Sequence, residues 1–185
     1  MNAMTQITIS TERLFLRSLQ KSDAESVFRY RSDVLTNKYQ GWIPKTIDDV
    51  VSFIENRVSS IIDINGTWFQ FVIIKKEGNE LIGDVGLHFF DPDNKQVEIG
   101  CTIDKSYHNH GYASEALSEI IQYLFRTLDK HRIIASIDPR NVGSIKLFEK
   151  LGFRKEAHFK ESIFQDGEWL DDLIYAILRN VYSKE

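Results

Sequence analysis

The amino-acid sequence predicts one α+β domain in which helices flank a mostly antiparallel sheet. Three features lead to this prediction: a run of three strand-like segments, a strongly amphipathic helical segment after it, and a closing pair of strand-like segments around Asp166-Gly167. No internal repeat, low-complexity tract or linker-like stretch divides the chain. We therefore expect a single domain from Ile7 to Tyr182, with residues 1–6 as an N-terminal stub.

The first third of the chain predicts one strand and two helices. Arg13 to Ser18 is strand-like, and Ser22 with Glu25 has the spacing of a capping box that would begin a helix through about residue 31. Thr46 is expected to begin the second helix, whose apolar residues recur at helical spacing: Val50, Phe53, Ile54, Val58 and Ile61. Asn65-Gly66 is expected to end that helix.

The middle of the chain predicts an antiparallel meander, because turn-rich residues separate three strand-like segments: Trp68 to Lys75, Leu81 to Phe90, and Gln96 to Ile103. In the third segment, apolar residues at odd positions alternate with Glu98, Gly100 and Thr102 at even positions. Successive side chains of a strand point to opposite faces. Glu98 should therefore face away from the more apolar side of the sheet.

The last third predicts a helix, a strand, a short helix and a hairpin. Apolar residues from Ala113 to Leu128 recur at intervals of three and four residues, which indicates an amphipathic helix. Arg132 to Ile137 is strand-like, and Ser144 to Leu151 is expected to form a helix that ends at Gly152. Two strands joined by the Asp-Gly turn close the chain: Phe153 to Phe164 and Glu168 to Leu178.

Composition excludes several classes of protein. The 185 residues carry a formal net charge of −4 and show no concentrated Lys/Arg face, which argues against a nucleic-acid partner. The longest apolar runs are too short to span a bilayer, so we expect no membrane segment. Cys101 is the only cysteine, and we expect a reducing, cytoplasmic location in which it packs as a buried side chain. The paired histidines His108 and His110 have no compact set of further ligands, so we expect no metal site.

A candidate anion site lies between the third strand of the meander and the long helix, at Tyr107-His108-Asn109-His110-Gly111-Tyr112-Ala113-Ser114. Gly111 and the small Ala113 allow the main chain to approach a ligand closely. The free N–H groups of the first helical turn point outward at the positive end of the helix dipole, as in known pyrophosphate sites. Alone, this pattern fits a tight strand-to-helix turn equally well.

A second segment makes the pattern specific: Asn141-Val142-Gly143-Ser144-Ile145-Lys146-Leu147-Phe148-Glu149-Lys150-Leu151-Gly152-Phe153. Together the two segments resemble the two conserved blocks of the GNAT superfamily of N-acetyltransferases, in its RimJ/RimL-like branch. The segments 13–17 and 164–169 resemble that branch as well, so the resemblance covers nearly the whole domain. It implies a GNAT-type mixed sheet in which two parallel strands, Gln96 to Ile103 and Arg132 to Ile137, splay apart and hold the pantetheine arm of acetyl-CoA.

The resemblance also implies the residues that bind the coenzyme. Backbone amides of the first block would bind the pyrophosphate: His108, Asn109, His110, Gly111, Tyr112, Ala113 and Ser114. His108 departs from the glutamine or arginine usual at its position, whereas the backbone cradle is intact. The pantetheine would contact the splayed strand and the second block: Ile99, Cys101, Ile103, Asn141 and Phe148.

The implied activity is transfer of an acetyl group from acetyl-CoA to a primary amine within a ternary complex, with no metal. The amine could belong to a protein N-terminus, a polyamine or another small molecule. An alkylamine has a pKa of about 10.4 and must lose a proton before it attacks. Glu98 resembles the glutamate that many family members use as general base, although a carboxylate can also anchor an ammonium group or simply be a solvated strand residue.

Other roles are open at this point. Ser144 resembles the serine proposed to protonate the leaving thiolate in the RimL-type branch, but it could equally bond the backbone of its own helix. Phe148 stands where many members have a tyrosine, which favours the alternative of a non-catalytic acyl-CoA-binding or sensor module. The acceptor pocket is expected to include Tyr39, Trp42, Phe164 and Trp169. A homodimer is compatible with the resemblance.

Overall fold

A computed structural model describes residues 7–182, and the predicted stub at residues 1–6 lies outside this range. Eight strands of the described chain form one mixed sheet in the order β1-β2-β3-β4-β5-β6-β8-β7. Their bounds are β1 Thr8–Ser10, β2 Leu14–Ser18, β3 Thr67–Lys75, β4 Glu80–Phe89, β5 Gln96–Ile103, β6 Arg132–Ile137, β7 Arg154–Gln165 and β8 Glu168–Leu178.

Helices cover both faces of the sheet. Their bounds are α1 Ala24–Arg31, α2 Val34–Asn37, α3 Ile47–Asn56, α4 Tyr112–Arg126, α5 Val142–Lys150 and α6 Arg179–Tyr182, with short 3₁₀ turns at Lys21–Asp23 and Lys105–Tyr107. Within residues 7–182, no helix has both the length and the apolar character that a bilayer crossing requires.

The seam between β5 and β6 is the one parallel pairing in this sheet, and it is short. Three residue pairs align there: Gln96 with Arg132, Val97 with Ile133, and Glu98 with Ile134. Beyond Glu98 the two strands run on to Ile103 and Ile137 without pairing to each other. The predicted mixed sheet with two splayed parallel strands is therefore confirmed.

Strand β3 separates two apolar layers, because its side chains alternate between the faces of the sheet. Phe69, Phe71 and Ile73 belong to the main core, which also contains the buried face of α4. Val72 and Ile74 belong to a smaller cluster on the opposite face, formed with residues of α1 and α3. The long amphipathic helix and the first two helices therefore cover different faces.

The local signals at helix ends were correct in part. Thr46 caps α3 as predicted: its hydroxyl accepts from the N–H of Asp49, whose carboxylate accepts from the N–H of Thr46. The box predicted at Ser22 and Glu25 is wrong. The carboxylate of Asp23 accepts instead from the N–H of Gln20, at 2.8 Å.

Helix α3 ends at Asn56, ten residues before the predicted stop. The chain leaves the helix because Ser59 donates its N–H to the carbonyl of Trp68, and Val58 forms a bridge to the same residue. Ile61, predicted on the apolar stripe of this helix, is instead 53% exposed. At the other end of the chain, the predicted hairpin turn is confirmed, with positive φ angles of 51° at Asp166 and 88° at Gly167.

Candidate active site

A cleft of about 850 Å³ lies where β5 and β6 separate. Its floor includes Glu98 and Gly100 of β5 together with Ser136 of β6. Its walls come from α3, from the loop that precedes it and from the β7–β8 hairpin: Tyr39, Gln40, Trp42, Phe53, Ile163, Gln165 and Leu170. Gln165 donates its side-chain amide to the carbonyl of Gln40 at 3.3 Å, so the two walls are in contact. The opening of the sheet and this cleft therefore coincide.

Glu98 lies on the cleft floor, as its position in the strand predicts. It is paired across the sheet with His88, which is paired with Trp68, so the three side chains share one face. The rings of His88 and Trp68 stack 4.6 Å apart and nearly parallel, and the Nδ1 atom of His88 lies 3.8 Å from Oε2 of Glu98. Burial raises the pKa of Glu98, while His88 opposes this shift. The carboxylate is thus a better proton acceptor than a solvated glutamate.

Two glycines lie opposite each other on the floor of the cleft, in different surroundings. A Cβ atom at Gly100 would have no atom within 4 Å, so a side chain there would project into the cleft. At the paired Gly86, a Cβ atom would lie 3.0 Å from Oε1 of Gln70. Gly100 therefore leaves space for a ligand beside Glu98, whereas Gly86 allows the Gln70 side chain to pack closely against the backbone.

A buried polar network supports the cleft from below. Asp84 of β4 is 2% exposed and accepts from the Tyr30 hydroxyl, the Arg31 guanidinium and, at 2.5 Å, the Gln70 amide. This network joins the end of α1 to the sheet. The network was not among the sequence-based predictions, although a glutamine and an aspartate within otherwise apolar strands are a usable signal of a buried polar site.

Asp172 of β8 is a second carboxylate in the cleft that the sequence did not reveal. It is 9% exposed, and its Oδ1 atom accepts a hydrogen bond of 2.7 Å from the hydroxyl of Ser136. The two residues are 36 positions apart and meet because β6 pairs with β8. No local pattern predicts this contact.

The predicted pyrophosphate loop forms the connection between β5 and α4. Gly111 is the N-cap of α4, with a φ of 81°, and Asn109 also has a positive φ, of 63°. His108 turns its ring back, so that Nε2 lies 2.8 Å from the carbonyl oxygen of Ile103. His110 Nδ1 lies 2.7 Å from the carbonyl oxygen of His108. Both histidine rings thus contact the loop's own backbone, and the first turn of a 15-residue helix faces outward beside them.

Arg13 of the segment before β2 holds this loop in place. It donates to the carbonyl of His110 at 3.0 Å, lies over the ring of Tyr112 at 4.6 Å and forms an ion pair of 2.6 Å with Glu115. A Cβ atom at Gly111 would lie 3.4 Å from the same guanidinium. The N-terminal segment therefore fixes the conformation of the loop.

The second sequence block lies outside the cleft lining. Asn141 caps α5, and its side-chain oxygen accepts from the N–H of Ser144 at 3.1 Å. Phe148 is 4% exposed and packs against Phe153, which places it in the main core. Phe148 therefore lies on the buried face of α5, and its contact with the coenzyme stays a prediction.

The four predicted acceptor residues divide into two pairs. Tyr39 and Trp42 line the cleft, where Trp42 stacks on Phe53 at 4.5 Å. Phe164 and Trp169 do not line it. They contact each other across the hairpin, with exposures of 62% and 59%. Strand alternation turns their neighbours into the cleft instead: Ile163, Gln165 and Leu170.

The structure also bears on two other kinds of chemistry, a cysteine nucleophile and a bound metal ion. Burial, reinforced by the charge of Asp84, raises the pKa of the Cys101 thiol, which argues against a nucleophilic role. Residues 7–182 contain no group of three or more histidine, cysteine or acidic side chains placed to hold a metal ion.

Comparison with known proteins identifies the family. Residues 13–154 match the model of the acetyltransferase (GNAT) domain. The uncharacterized N-acetyltransferase p20 of Bacillus licheniformis is 34% identical over 178 residues, which cover 95% of this chain and 98% of p20. The [ribosomal protein uS5]-alanine N-acetyltransferase of Escherichia coli is 27% identical over 179 residues, covering 93% and 91% of the two chains.

A solved structure agrees with these sequence relatives. The crystal structure of a GNAT-family acetyltransferase from Bacillus anthracis superimposes with a TM-score of 0.83 at 33% identity, and the match covers 94% of this chain and 99% of that one. The chain belongs to the GNAT family of N-acetyltransferases, and its relatives include the RimJ/RimL-like branch that the sequence motifs indicated.

Proposed function

We propose that this chain transfers an acetyl group from acetyl-CoA to a primary amine by direct attack within a ternary complex. The observation that carries the proposal is the position of Glu98: a partly buried carboxylate with a raised pKa lies at the last residue pair before β5 and β6 separate. Membership of the GNAT family supports acetyl-CoA as the cosubstrate, and the cleft beside Glu98 has space for an amine.

The coenzyme is proposed to bind along the open side of the seam. The amides from His108 to Ser114 would hold the pyrophosphate at the start of α4. No residue of β6 pairs with Ile99, Cys101 or Ile103, so their main-chain groups are proposed to bond the pantetheine arm, although the carbonyl oxygen of Ile103 already contacts Nε2 of His108. Asn141 still offers its side-chain NH₂ group, because only its oxygen caps α5.

Glu98 is proposed to act as the general base. It takes a proton from the substrate ammonium, directly or through one water molecule, and the freed nitrogen lone pair attacks the thioester carbonyl carbon. The carbonyl oxygen then carries negative charge, for which backbone N–H groups between Ile99 and Cys101 are the proposed donors. The C–S bond breaks, and the thiolate leaves with the electron pair and takes a proton. The attacking nitrogen gives its second proton to water, which leaves a neutral amide.

The proton donor to the thiolate is proposed to be water or Ser144. A thiol has a pKa of about 8.5, so a thiolate can leave without a strong acid beside it. The backbone N–H of Ser144 is used by Asn141, while its hydroxyl makes no hydrogen bond within residues 7–182. If Ser144 donates the proton, Ser144→Ala lowers kcat about tenfold or more with little change in coenzyme affinity.

A thiol-release assay with a panel of amines, together with calorimetric titration of coenzyme A, tests the function. We expect coenzyme binding and release of free thiol with at least one class of primary amine. Coenzyme binding without release for any amine would identify a non-catalytic acyl-CoA-binding or sensor module, and no binding would reject both functions. The homodimer and the cytoplasmic location stay predictions from the sequence, and sizing by light scattering checks the first of them.

A further inference from the structure

The charge balance of the cleft leaves two carboxylates without a cationic partner of their own. Asp172 makes no ion pair with any residue of the described chain, and its hydrogen-bond partner Ser136 is neutral. Glu98 faces only His88, at 3.8 Å. The side chain of Asp172 is nevertheless only 9% exposed, and a buried carboxylate normally has a counter-ion.

The other acidic groups around the cleft are already satisfied. Their contacts are Asp138 with Arg140 at 2.6 Å, Asp171 with Lys160 at 2.8 Å, Asp84 with Arg31, and Asp49 with the N–H groups of Lys45 and Thr46. Three cations line the cleft: Arg31, which pairs with Asp84, and Lys38 and Arg57. Lys38 lies over the ring of Tyr39, and neither Lys38 nor Arg57 forms an ion pair with Glu98 or Asp172. The uncompensated negative charge is therefore confined to Glu98 and Asp172.

The two carboxylates also affect each other. Burial raises the pKa of Glu98 most, His88 lowers it, and the charge of Asp172 raises it further. Like charges in a partly desolvated cleft repel, so a ligand that brings positive charge to both would relieve the repulsion as well as pair the charges. A neutral or anionic group placed beside Asp172 would bury its charge without compensation.

We propose that Asp172, oriented by Ser136, is a specificity-determining residue that binds a second ammonium group of the acceptor while the first lies at Glu98. The acceptor class is then an alkyl diamine or a longer polycationic amine. This inference rests on the proposed acetyltransferase function. It favours a polycationic amine among the acceptors that the sequence leaves open. A residue of β8 would then determine which acceptor is preferred.

Steady-state kinetics with the full chain test the inference. The substrates are α,ω-diamines and alkyl monoamines of matched chain length, with a short peptide of neutral side chains as the third class. The variants are Asp172→Asn, which keeps an acceptor for the Ser136 hydroxyl but removes the charge, and Ser136→Ala. The matched control is Glu168→Gln, which removes a charge from the same strand outside the cleft lining.

We expect the wild-type chain to prefer the diamine at least tenfold in kcat/KM, because charge-assisted hydrogen bonds are the strong ones. In Asp172→Asn, that preference should fall about tenfold, mainly through a higher KM for the diamine. Ser136→Ala should lower the preference less, and Glu168→Gln should leave it unchanged. Thermal unfolding of each variant shows whether the fold is retained.

Three outcomes overturn the inference, and the first two are distinguishable from the third. Turnover with monoamines or the peptide as readily as with diamines, or an unaltered preference in folded Asp172→Asn, rejects the role of Asp172 but keeps the acetyltransferase. Coenzyme binding with no turnover for any amine rejects the proposed function and the inference together.

Discussion

The substitution Glu98→Gln tests the chemistry most directly. Glutamine has the same shape and can still contact His88, but it cannot accept the proton of the substrate ammonium. A general base contributes about 10² to 10⁴ in rate, so we expect kcat to fall at least 100-fold. Coenzyme A affinity should change by less than about twofold, because the proposed pyrophosphate site is the loop before α4.

The stability of the same variant follows from the direction of its pKa shift. Burial raises the pKa of Glu98 in the folded chain above its value in the unfolded chain. The folded state therefore binds this proton more tightly than the unfolded state does. At pH values above the raised pKa, the ionised carboxylate of Glu98 lowers the stability of the folded chain. This effect disappears as the pH falls through the raised pKa. At pH 7, Glu98→Gln should consequently unfold at the same or a higher urea concentration than the wild-type chain.

The assay is thiol release at saturating acetyl-CoA between about pH 5 and pH 9, with Glu168→Gln as the control. The wild-type kcat/KM should fall at low pH, with a midpoint above the ordinary glutamate value, and Glu98→Gln should lose this dependence. Unchanged turnover in Glu98→Gln would remove Glu98 from the mechanism. A variant that is less stable and also binds coenzyme weakly would indicate a structural role instead.

Further substitutions test the loop, the cleft floor and a buried ion pair. Gly111→Ala and Gly152→Ala place the same side chain at φ angles of 81° and 84°, so each should lower the free energy of unfolding by about 1–2 kcal/mol in urea titrations. Only Gly111→Ala should weaken coenzyme A binding in calorimetry, and equal affinities would contradict the role of the loop. Gly100→Val adds a side chain where no atom lies within 4 Å, so KM for a substrate should rise about tenfold with Tm within about 2 °C. An unaltered KM would show that neither acetyl-CoA nor the amine lies beside Gly100. Lys130 is 1% exposed and pairs with Asp63, so Lys130→Met should cost about 3 kcal/mol in urea denaturation, and a loss below about 1 kcal/mol would mean that the pair is not stabilising.

The sequence predicted those parts of the fold whose signals are local. The apolar period of α4 and the alternation in β5 identify their buried faces without knowledge of any partner, and the second of these placed Glu98 on the cleft side. The Asp-Gly dipeptide set the hairpin turn, because both residues tolerate positive φ. These signals depend on residues that are neighbours in the chain.

Features that depend on distant partners were missed. The start of α1 was misplaced because Asp23 is fixed by an ion pair of 2.7 Å with Arg17 on β2 and by the N–H of Gln20, which outweigh the Ser22 and Glu25 spacing. The side of the hairpin on which Phe164 lies could not be read from the sequence because β7 contains two register shifts, so counting along the strand does not reveal which residues face the cleft. Its contact with the acceptor stays a prediction. The position of Asp172 in the cleft depends on the pairing of β8 with β6, which no local sequence pattern predicts.

Because side chains alternate along β3, the two faces of the sheet carry different parts of the molecule. The face with Phe69 and Phe71 carries the main core and helix α4, whereas the face with Gln70 and Val72 carries the thinner layer and the cleft. Residues of the thin layer can therefore be exchanged without repacking the larger one. Under the proposed function, substitutions on the cleft side could therefore change the accepted amine while the core beneath the proposed coenzyme loop keeps its packing.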